Sequence, residues 1–76
     1  MKYRDGTTIE PGDLVQIDGA YRGRVVASMD TKKYLPNQEH WDYLGSGIIV
    51  DTDFGGMVHY TEEAIDELVL IQRADA

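Results

Sequence analysis

Three side chains that could perform acid–base chemistry or bind a metal ion fall in one short segment of the 76-residue chain. Asp51 and Asp53 lie two positions apart, so that in a β-strand both carboxylates point to the same face, and His59 follows after a turn. Joint chemistry requires such groups to converge within about 3 Å of a common atom. Pairing registers that place Thr52 or Val50 opposite His59 are both possible, and neither puts a carboxylate directly opposite the imidazole. The segment therefore predicts solvated hairpin side chains rather than a catalytic or metal site.

No other pattern in the sequence supports catalysis. The chain contains no cysteine, which excludes thiolate nucleophiles, zinc–thiolate sites and disulfides. His40 has no partner at metal-ligand spacing, and neither Ser28 nor Ser46 has the spacing of a nucleophilic triad. The glycines Gly19 and Gly23 match neither the dinucleotide-binding nor the Walker pattern. We expect a protein that is not an enzyme and that uses no cofactor.

The net charge of −7 is distributed unevenly along the chain. Residues 1–33 carry six basic and five acidic side chains, whereas residues 34–72 carry eight acidic side chains and no lysine or arginine. Such a segment repels a phosphate backbone, because nucleic-acid binding depends on basic side chains that displace counterions. It attracts a basic protein surface. Plain solubility is the other interpretation of this charge.

Short apolar runs with period-two spacing, separated by glycine-containing turns, predict a β protein. Around the Asp53–Gly56 reversal, two such runs predict a hairpin. Gly23 predicts a bulge or bend, and the final run, apolar on both faces, predicts a strand covered on both sides or closing a barrel. The predicted strands are Met1–Arg4, Leu14–Ile17, Tyr21–Met29 with Val25, Ala27 and Met29 on one face, Ile48–Val50, Met57–Val58 and Leu68–Ile71.

Two short helical segments complete the predicted elements. Asn37 is a candidate N-cap for a helix over residues 38–44, with Gly45 as its end and Trp41 packing it onto the core. Thr61 is a candidate cap for one helical turn, after Tyr60, which we also expect in the core. The fold predicted is one mainly β domain over residues 1–76, a small five- to six-stranded SH3-like, partly open barrel with one short helix in a long connection. A curved antiparallel sheet with the Trp41 helix on one face is the alternative.

A candidate partner-binding surface follows from the overlap of acidic and aromatic residues. Tyrosine and tryptophan supply much of the binding energy at protein interfaces, and acidic surroundings steer a basic partner towards them. Phe54 is the strongest of the aromatic candidates, because turn tips are exposed. The predicted partner-binding residues are Glu39, Asp42, Tyr43, Asp51, Asp53, Phe54, Glu62 and Glu63.

The sequence also bears on location. The first residues lack the apolar core of a signal peptide, and no run approaches the roughly 18 apolar residues of a membrane span. We expect a cytoplasmic protein with no membrane partner.

Two resemblances add to this interpretation. Residues 11–17, Pro-Gly-Asp-Leu-Val-Gln-Ile, followed by residues 23–26, Gly-Arg-Val-Val, are similar to the opening of SH3-like barrels of the KOW type. That likeness implies nucleic-acid, ribosomal or polymerase partners, bound here through Tyr21, Arg22, Arg24, Lys32 and Lys33. The whole chain, with residues 3–6, 41–44 and 54–60, resembles small bacterial proteins encoded beside polymorphic toxins, which implies an immunity protein that neutralises a toxin by binding it.

Overall fold

Six antiparallel strands form one open sheet in the computed structural model, which describes residues 1–74. In spatial order the strands run β5, β4, β2, β1 and β6, and β3 also pairs with β2. The predicted fold class, mainly β with five to six strands in a small, partly open arrangement, is confirmed. The strands are β1 (Leu14–Ile17), β2 (Tyr21–Ser28), β3 (Lys33–Tyr34), β4 (Ile48–Thr52), β5 (Gly56–Tyr60) and β6 (Leu68–Gln72), and two 3₁₀ helices cover Glu39–Leu44 and Glu62–Glu67.

Strand β2 organises the sheet, because it pairs with β1, β3 and β4. Its register against β4 shifts between Val25 and Ala27, so Val26 is the extra residue of a β-bulge. The bulge reverses the alternation of side chains: Val25 packs in one cluster, whereas Ala27 and Met29 pack in another. The prediction that these three share one face is therefore wrong.

Gly23 does not form the predicted bulge, and its role is close packing. A Cβ at this position would lie 2.6 Å from Cγ1 of Val50 and 2.9 Å from the carbonyl oxygen of Asp51. No side chain fits in that space. The glycine thus makes room for Val50 and for the backbone of Asp51 at this position of the sheet.

Two apolar clusters lie on opposite sides of the central strands. The buried members of the main core are Tyr3, Ile9, Val15, Ile17, Val25, Ile48, Val50, Tyr60 and Leu68. A smaller cluster of Val26, Ala27, Met29 and Ile49 is covered by the first 3₁₀ helix through half-buried Trp41 and Leu44. The predicted packing of Trp41 and Tyr60 against core residues is confirmed.

Several predicted boundaries need correction. Gln38, rather than Asn37, precedes the first helix, because Asn37 has a φ of 70° and belongs to the preceding turn. Gly45 ends that helix as predicted, with a φ of 81°. Thr61 occupies the N-cap position of the second helix, but its side chain makes no capping hydrogen bond. Met1–Arg4 is not a strand, since it contributes a single bridge between Lys2 and Thr8.

The last strand is not covered on both sides. Among the described residues β6 pairs with β1 alone, so it neither lies inside the sheet nor closes a barrel. Leu68 is buried in the main core, whereas Val69 and Ile71, on the other face, are 59% and 41% exposed. The apolar composition of this strand reflects an exposed edge.

Candidate binding surface

The side chains of Asp51, Asp53 and His59 do not converge. The register of the hairpin pairs His59 with Ile49 and Asp51 with Met57, so both registers considered from the sequence are wrong. The Nε2 atom of His59 lies 2.9 Å from the carbonyl oxygen of Ser46, which requires this nitrogen to carry the proton and to donate. This hydrogen bond of His59 links β5 to the loop that precedes β4. Within residues 1–74 no group of three histidine, aspartate or glutamate side chains is placed to hold a metal ion.

The tip of the hairpin contacts the first residues of β2. The ring centroids of Phe54 and Tyr21 are 4.7 Å apart at an interplanar angle of 51°, and the backbone N–H of Asp53 donates to the carbonyl of Arg22 at 3.0 Å. Phe54 is 51% exposed, as expected for a turn tip. Arg24 is the sheet partner of Asp51. A basic residue therefore neighbours Asp51 in the sheet, although its guanidinium donates to the carbonyl of Gly12 and forms no ion pair with Asp51 among the described residues.

The first 3₁₀ helix presents Glu39, Asp42 and Tyr43 at the surface, and Asp42 is already engaged. Its carboxylate accepts a short hydrogen bond from the hydroxyl of Tyr34 and lies 3.5 Å from Nζ of Lys32. These two contacts, the hydrogen bond foremost, lower the pKa of Asp42. The same bond raises the pKa of Tyr34 to about 12. Asp42 thus links the first 3₁₀ helix to Tyr34 in β3 and to Lys32 just before that strand. Glu39 and Tyr43, of which Tyr43 is 76% exposed, remain accessible to a partner.

Four carboxylates on the second 3₁₀ helix form what we call the acidic ridge: Glu62, Glu63, Asp66 and Glu67. The helix connects β5 to β6, the two ends of the strand order, and contacts both. Ala64 and Ile65 pack against the main core. The side chains of the four acidic residues are all exposed to solvent. In a 3₁₀ helix residues three apart lie one above the other, which places Glu63 and Asp66 on the same side. None of the four makes an ion pair with any residue from 1 to 74.

A surface depression adjoins the first turn of the acidic ridge. Its volume is about 420 Å³, and Glu62 and Glu63 contribute to its wall. Asp30 lies there too, 3.5 Å from the amine of Met1. The depression therefore has two carboxylates without a counter-charge beside one that is paired. Its remaining lining residues are Ser46, Gly47 and Thr61.

The eight predicted partner-binding residues are all exposed, but they form three separate groups. Asp51, Asp53 and Phe54 lie at the tip of the hairpin, whereas Glu62 and Glu63 follow its opposite end. The five paired positions from Ile48 to Thr52 separate these ends by about 16 Å at the usual rise of a strand. Glu39, Asp42 and Tyr43 lie on the first helix. Asp66 and Glu67, which extend the ridge, were not predicted, because their position became evident only from the path of the helix.

The residues of the alternative nucleic-acid surface are likewise divided. Lys33 is the sheet partner of Ser28, at the far end of β2 from Tyr21, Arg22 and Arg24. Lys33 lies 3.3 Å from a carboxylate oxygen of Glu10, and Lys32 pairs with Asp42. Two of the four cations are therefore neutralised, and no continuous basic surface joins the five residues.

A buried ion pair that the sequence did not predict joins distant parts of the chain. The carboxylate of Asp13, fully buried, accepts hydrogen bonds from the hydroxyl of Tyr3 at 2.7 Å and from the backbone of Glu10 at 3.0 Å. The Nη1 atom of Arg73 lies 3.3 Å from the same oxygen, and its Nη2 atom donates to the carbonyl of Thr8. Burial, followed by the bond to Asp13, raises the pKa of Tyr3. These contacts serve the fold and leave the carboxylate inaccessible to a partner.

Comparison of the chain with protein-family models, with curated proteins and with solved structures found no match. In the part of the chain that the structure describes, no helix is long and apolar enough to cross a membrane.

Proposed function

We propose that the protein is a non-enzymatic binding module that holds a basic protein partner against the acidic ridge and the depression beside it. The observation that carries this proposal is the set of four exposed carboxylates on Glu62–Glu67, which have no counter-charge among the described residues. Elsewhere Asp13, Glu10, Asp30 and Asp42 are each paired with a cation, and the other described acids without an ion pair, Asp5, Asp18, Glu39, Asp51 and Asp53, are spread over separate turns, a strand and the first helix. The grouping of four unpaired carboxylates on one short helix favours the ridge over the rest of the acidic surface.

The depression supports a basic side chain as the point of contact. A lysine or arginine that enters it meets the carboxylates of Glu62 and Glu63, which hold no other cation in the described chain. Because these charges lie at the surface, we expect them to accelerate association and to lose strength with salt, as exposed charges do beyond a Debye length of about 8–10 Å. Glu39 and Tyr43 on the first helix are secondary candidates for the rim of such an interface.

Immunity against a toxin is the specific form of this function that the resemblance to toxin-associated bacterial proteins implies. A basic toxin surface, such as one that handles nucleic acid, has the charge that complements the ridge. Co-expression with a candidate toxin encoded next to this protein tests that form: growth should be rescued by the wild type and not by a variant that has lost the ridge carboxylates.

Capture from the native host identifies the partner. Immobilised wild type and the variants E62Q/E63Q and D51N/D53N are exposed to the same lysate at low salt, and retained proteins are identified by mass spectrometry. Each variant removes two negative charges, so the two variants have the same net charge and differ only in where on the surface the charges are lost. We expect a basic protein retained by wild type and D51N/D53N and lost from E62Q/E63Q. Equal retention by all three would contradict the proposal.

Nucleic-acid binding at the hairpin tip is the second candidate function. The exposed Tyr21–Phe54 ring pair lies beside Arg22, which forms no ion pair within residues 1–74, and aromatic rings with arginine are the usual contacts for single-stranded nucleic acid. Titration of labelled single- and double-stranded RNA and DNA at low salt tests it. Absence of binding would remove this candidate without affecting the first.

A further inference from the structure

The face of the sheet opposite the main core is covered at one end by the first 3₁₀ helix. There Trp41 and Leu44 pack on the smaller apolar cluster, to which Ile49 belongs. Asp51 lies two positions after Ile49 in β4, so its side chain points to the same face, and it is exposed. We call the part of this face beyond the helix the open face. Its charged residues, all exposed, are Arg22, Arg24, Asp51 and Asp53.

One row of side chains crosses the open face on four adjacent strands. Its members are successive partners in the sheet, and they are Leu14, Arg24, Asp51 and Met57. Partners in antiparallel strands have their side chains on the same face. The row therefore presents an apolar, a basic, an acidic and an apolar side chain in that order.

A second row lies two positions closer to the hairpin tip. The N–H of Asp53 donates to the carbonyl of Arg22, which continues the register between β2 and β4 and sets these two residues side by side. Phe54, the next residue, contacts Tyr21, and Tyr21 is the sheet partner of the core residue Ile17. Because the two rings lie on the core side, Asp53 points to the open face.

The charges of both rows are not neutralised within the described chain. None of the four charged side chains forms an ion pair with any residue from 1 to 74. The Nη1 atom of Arg24 donates to the carbonyl of Gly12 at 2.7 Å, and this neutral acceptor does not balance the charge of the guanidinium. Each row thus offers one free positive and one free negative charge at its centre.

We propose that a second copy of this chain packs on the open face, related to the first by a two-fold axis that runs parallel to the strands between β2 and β4. The strand order β5, β4, β2, β1 places two strands on each side of this axis. Rotation about it sets β2 of one copy opposite β4 of the second copy, and β1 opposite β5. Each row keeps its level along the axis, so it meets the same row of the second copy.

This rotation makes both rows complementary to themselves. Arg24 faces Asp51 of the second copy, and Arg22 faces Asp53 of the second copy. Facing sheets pack about 10 Å apart, a distance that an arginine and an aspartate side chain span together.

Apolar contacts border the charges in the same arrangement. Leu14, which is half-buried, faces Met57 of the second copy, and Met57 is 41% exposed in the single chain. The order apolar, basic, acidic, apolar matches its own reverse with the charges exchanged. Charge complementarity therefore favours a second copy of this chain over an unrelated partner.

The open face and the acidic ridge are separate surfaces, so neither proposal depends on the other. The ridge belongs to the connection between β5 and β6, whereas the axis of the dimer lies between β2 and β4. We expect D51N/D53N to lose the dimer and to keep the basic partner. E62Q/E63Q should keep the dimer and lose the partner. The two variants carry the same net charge, so a failure of one proposal is distinguished from a failure of the other.

Sedimentation equilibrium over a wide range of protein concentration tests the dimer by exchange of charges. We expect wild type to pass from monomer to dimer. R22D sets two aspartates face to face and D53R sets two arginines face to face, and a two-fold interface contains each clash twice. Each variant should therefore raise the dimer dissociation constant by about tenfold or more. The double variant R22D/D53R restores opposite charges and should dimerise like wild type, a rescue that would not follow from a folding defect.

Two comparisons separate the interface from the effect of net charge. R4D makes the same change of charge as R22D at an exposed residue outside the sheet, and it should dimerise like wild type. D53R lowers the net negative charge of the protein, so general repulsion between copies does not account for a weaker dimer. A wild type that is monomeric at all concentrations, equal weakening by R4D, or a double variant as weak as the single ones would overturn the proposal.

Discussion

The hydroxyl of Tyr3 donates a 2.7 Å hydrogen bond to Oδ2 of Asp13, a fully buried residue directly before β1. With Arg73 on the same carboxylate, this contact joins the first residues of the chain, the entry to β1 and the end of β6. The contact thereby joins the first residues of the chain to the end of the β1–β6 ladder, where Leu14 pairs with Gln72. The chain has no disulfide to do this, so the polar cluster is central to its stability.

Replacement of Tyr3 by phenylalanine should lower the free energy of unfolding by about 1.5–3 kcal/mol, the usual contribution of a hydrogen bond to a charged group. The ring remains in the core, so the loss measures the hydroxyl alone. Urea unfolding provides the measurement, and Tyr43→Phe is the control, because Tyr43 is 76% exposed. Equal stability of the two variants would contradict the role given to the Tyr3–Asp13 bond.

Alkaline pH should destabilise the protein through the same hydroxyl. Burial raises the pKa of Tyr3 in the folded state above its ordinary value of about 10, so the unfolded chain releases the proton first. The stability contributed by Tyr3 is complete below pH 10 and declines above it, by up to about 1.4 kcal/mol per pH unit for one group. Melting temperatures measured as pH rises should fall less steeply for Tyr3→Phe than for wild type. Parallel curves would refute this linkage.

Substitution of Gly47 by alanine should destabilise the protein more than substitution of Gly45. Both glycines have positive φ, 85° and 81°, which costs an alanine about 1–2 kcal/mol. A Cβ on Gly47 would also lie 2.5 Å from the carbonyl of Tyr60 and 2.7 Å from Nε2 of His59, whereas nothing lies within 4 Å of one on Gly45. Thermal unfolding of the pair isolates the steric part, and equal losses would show that the loop moves away from β5.

Truncation of Phe54 to alanine should cost little stability. Phe54 is 51% exposed, and its packing on Tyr21 is that of a tilted aromatic pair, worth about 0.5–1.5 kcal/mol. Tyr60→Ala, which empties a buried position of the main core, should cost about 3–5 kcal/mol by comparison. Chemical denaturation of both variants checks the contrast. A loss at Phe54 as large as that at Tyr60 would mean that the hairpin tip is part of the core.

The sequence predicted the elements that depend on local chemistry. Glycine at the end of the first helix, the hairpin around residues 53–56 and the short strands all follow from backbone preferences and period-two patterns. The exposed Phe54 followed in the same way from its place at a turn tip.

Contacts between distant residues were not predictable from these patterns. The partners Asp13 and Arg73 are separated by 60 positions, and an aspartate after Pro-Gly reads as an ordinary turn residue. The bulge at Val26 shifted the faces of β2 although no glycine marks it. For β6, an apolar run has the same composition whether it is buried on both sides or exposed at an edge, and only the strand order decided between these.

The sequence predicted which kinds of residue the candidate surface contains, but it did not predict how those residues are arranged in space. Unequal charge along the chain identified an acidic half, and the structure divides that half into one paired acid, Asp42, the exposed Glu39, two aspartates at the hairpin tip and the acidic ridge. Sequence order could not separate these, because Lys32, which pairs with Asp42, and Arg24, the sheet partner of Asp51, come from the other half of the chain.

The salt dependence of affinity for the captured partner tests the central claim most directly. Titration calorimetry at increasing salt should show wild-type binding that weakens steadily, with D51N/D53N close to it. E62Q/E63Q should bind about tenfold or more weakly at low salt, with a shallower salt dependence, because it lacks the charges that salt screens. Affinity that is independent of salt, or a loss as large in D51N/D53N as in E62Q/E63Q, would contradict binding through the acidic ridge.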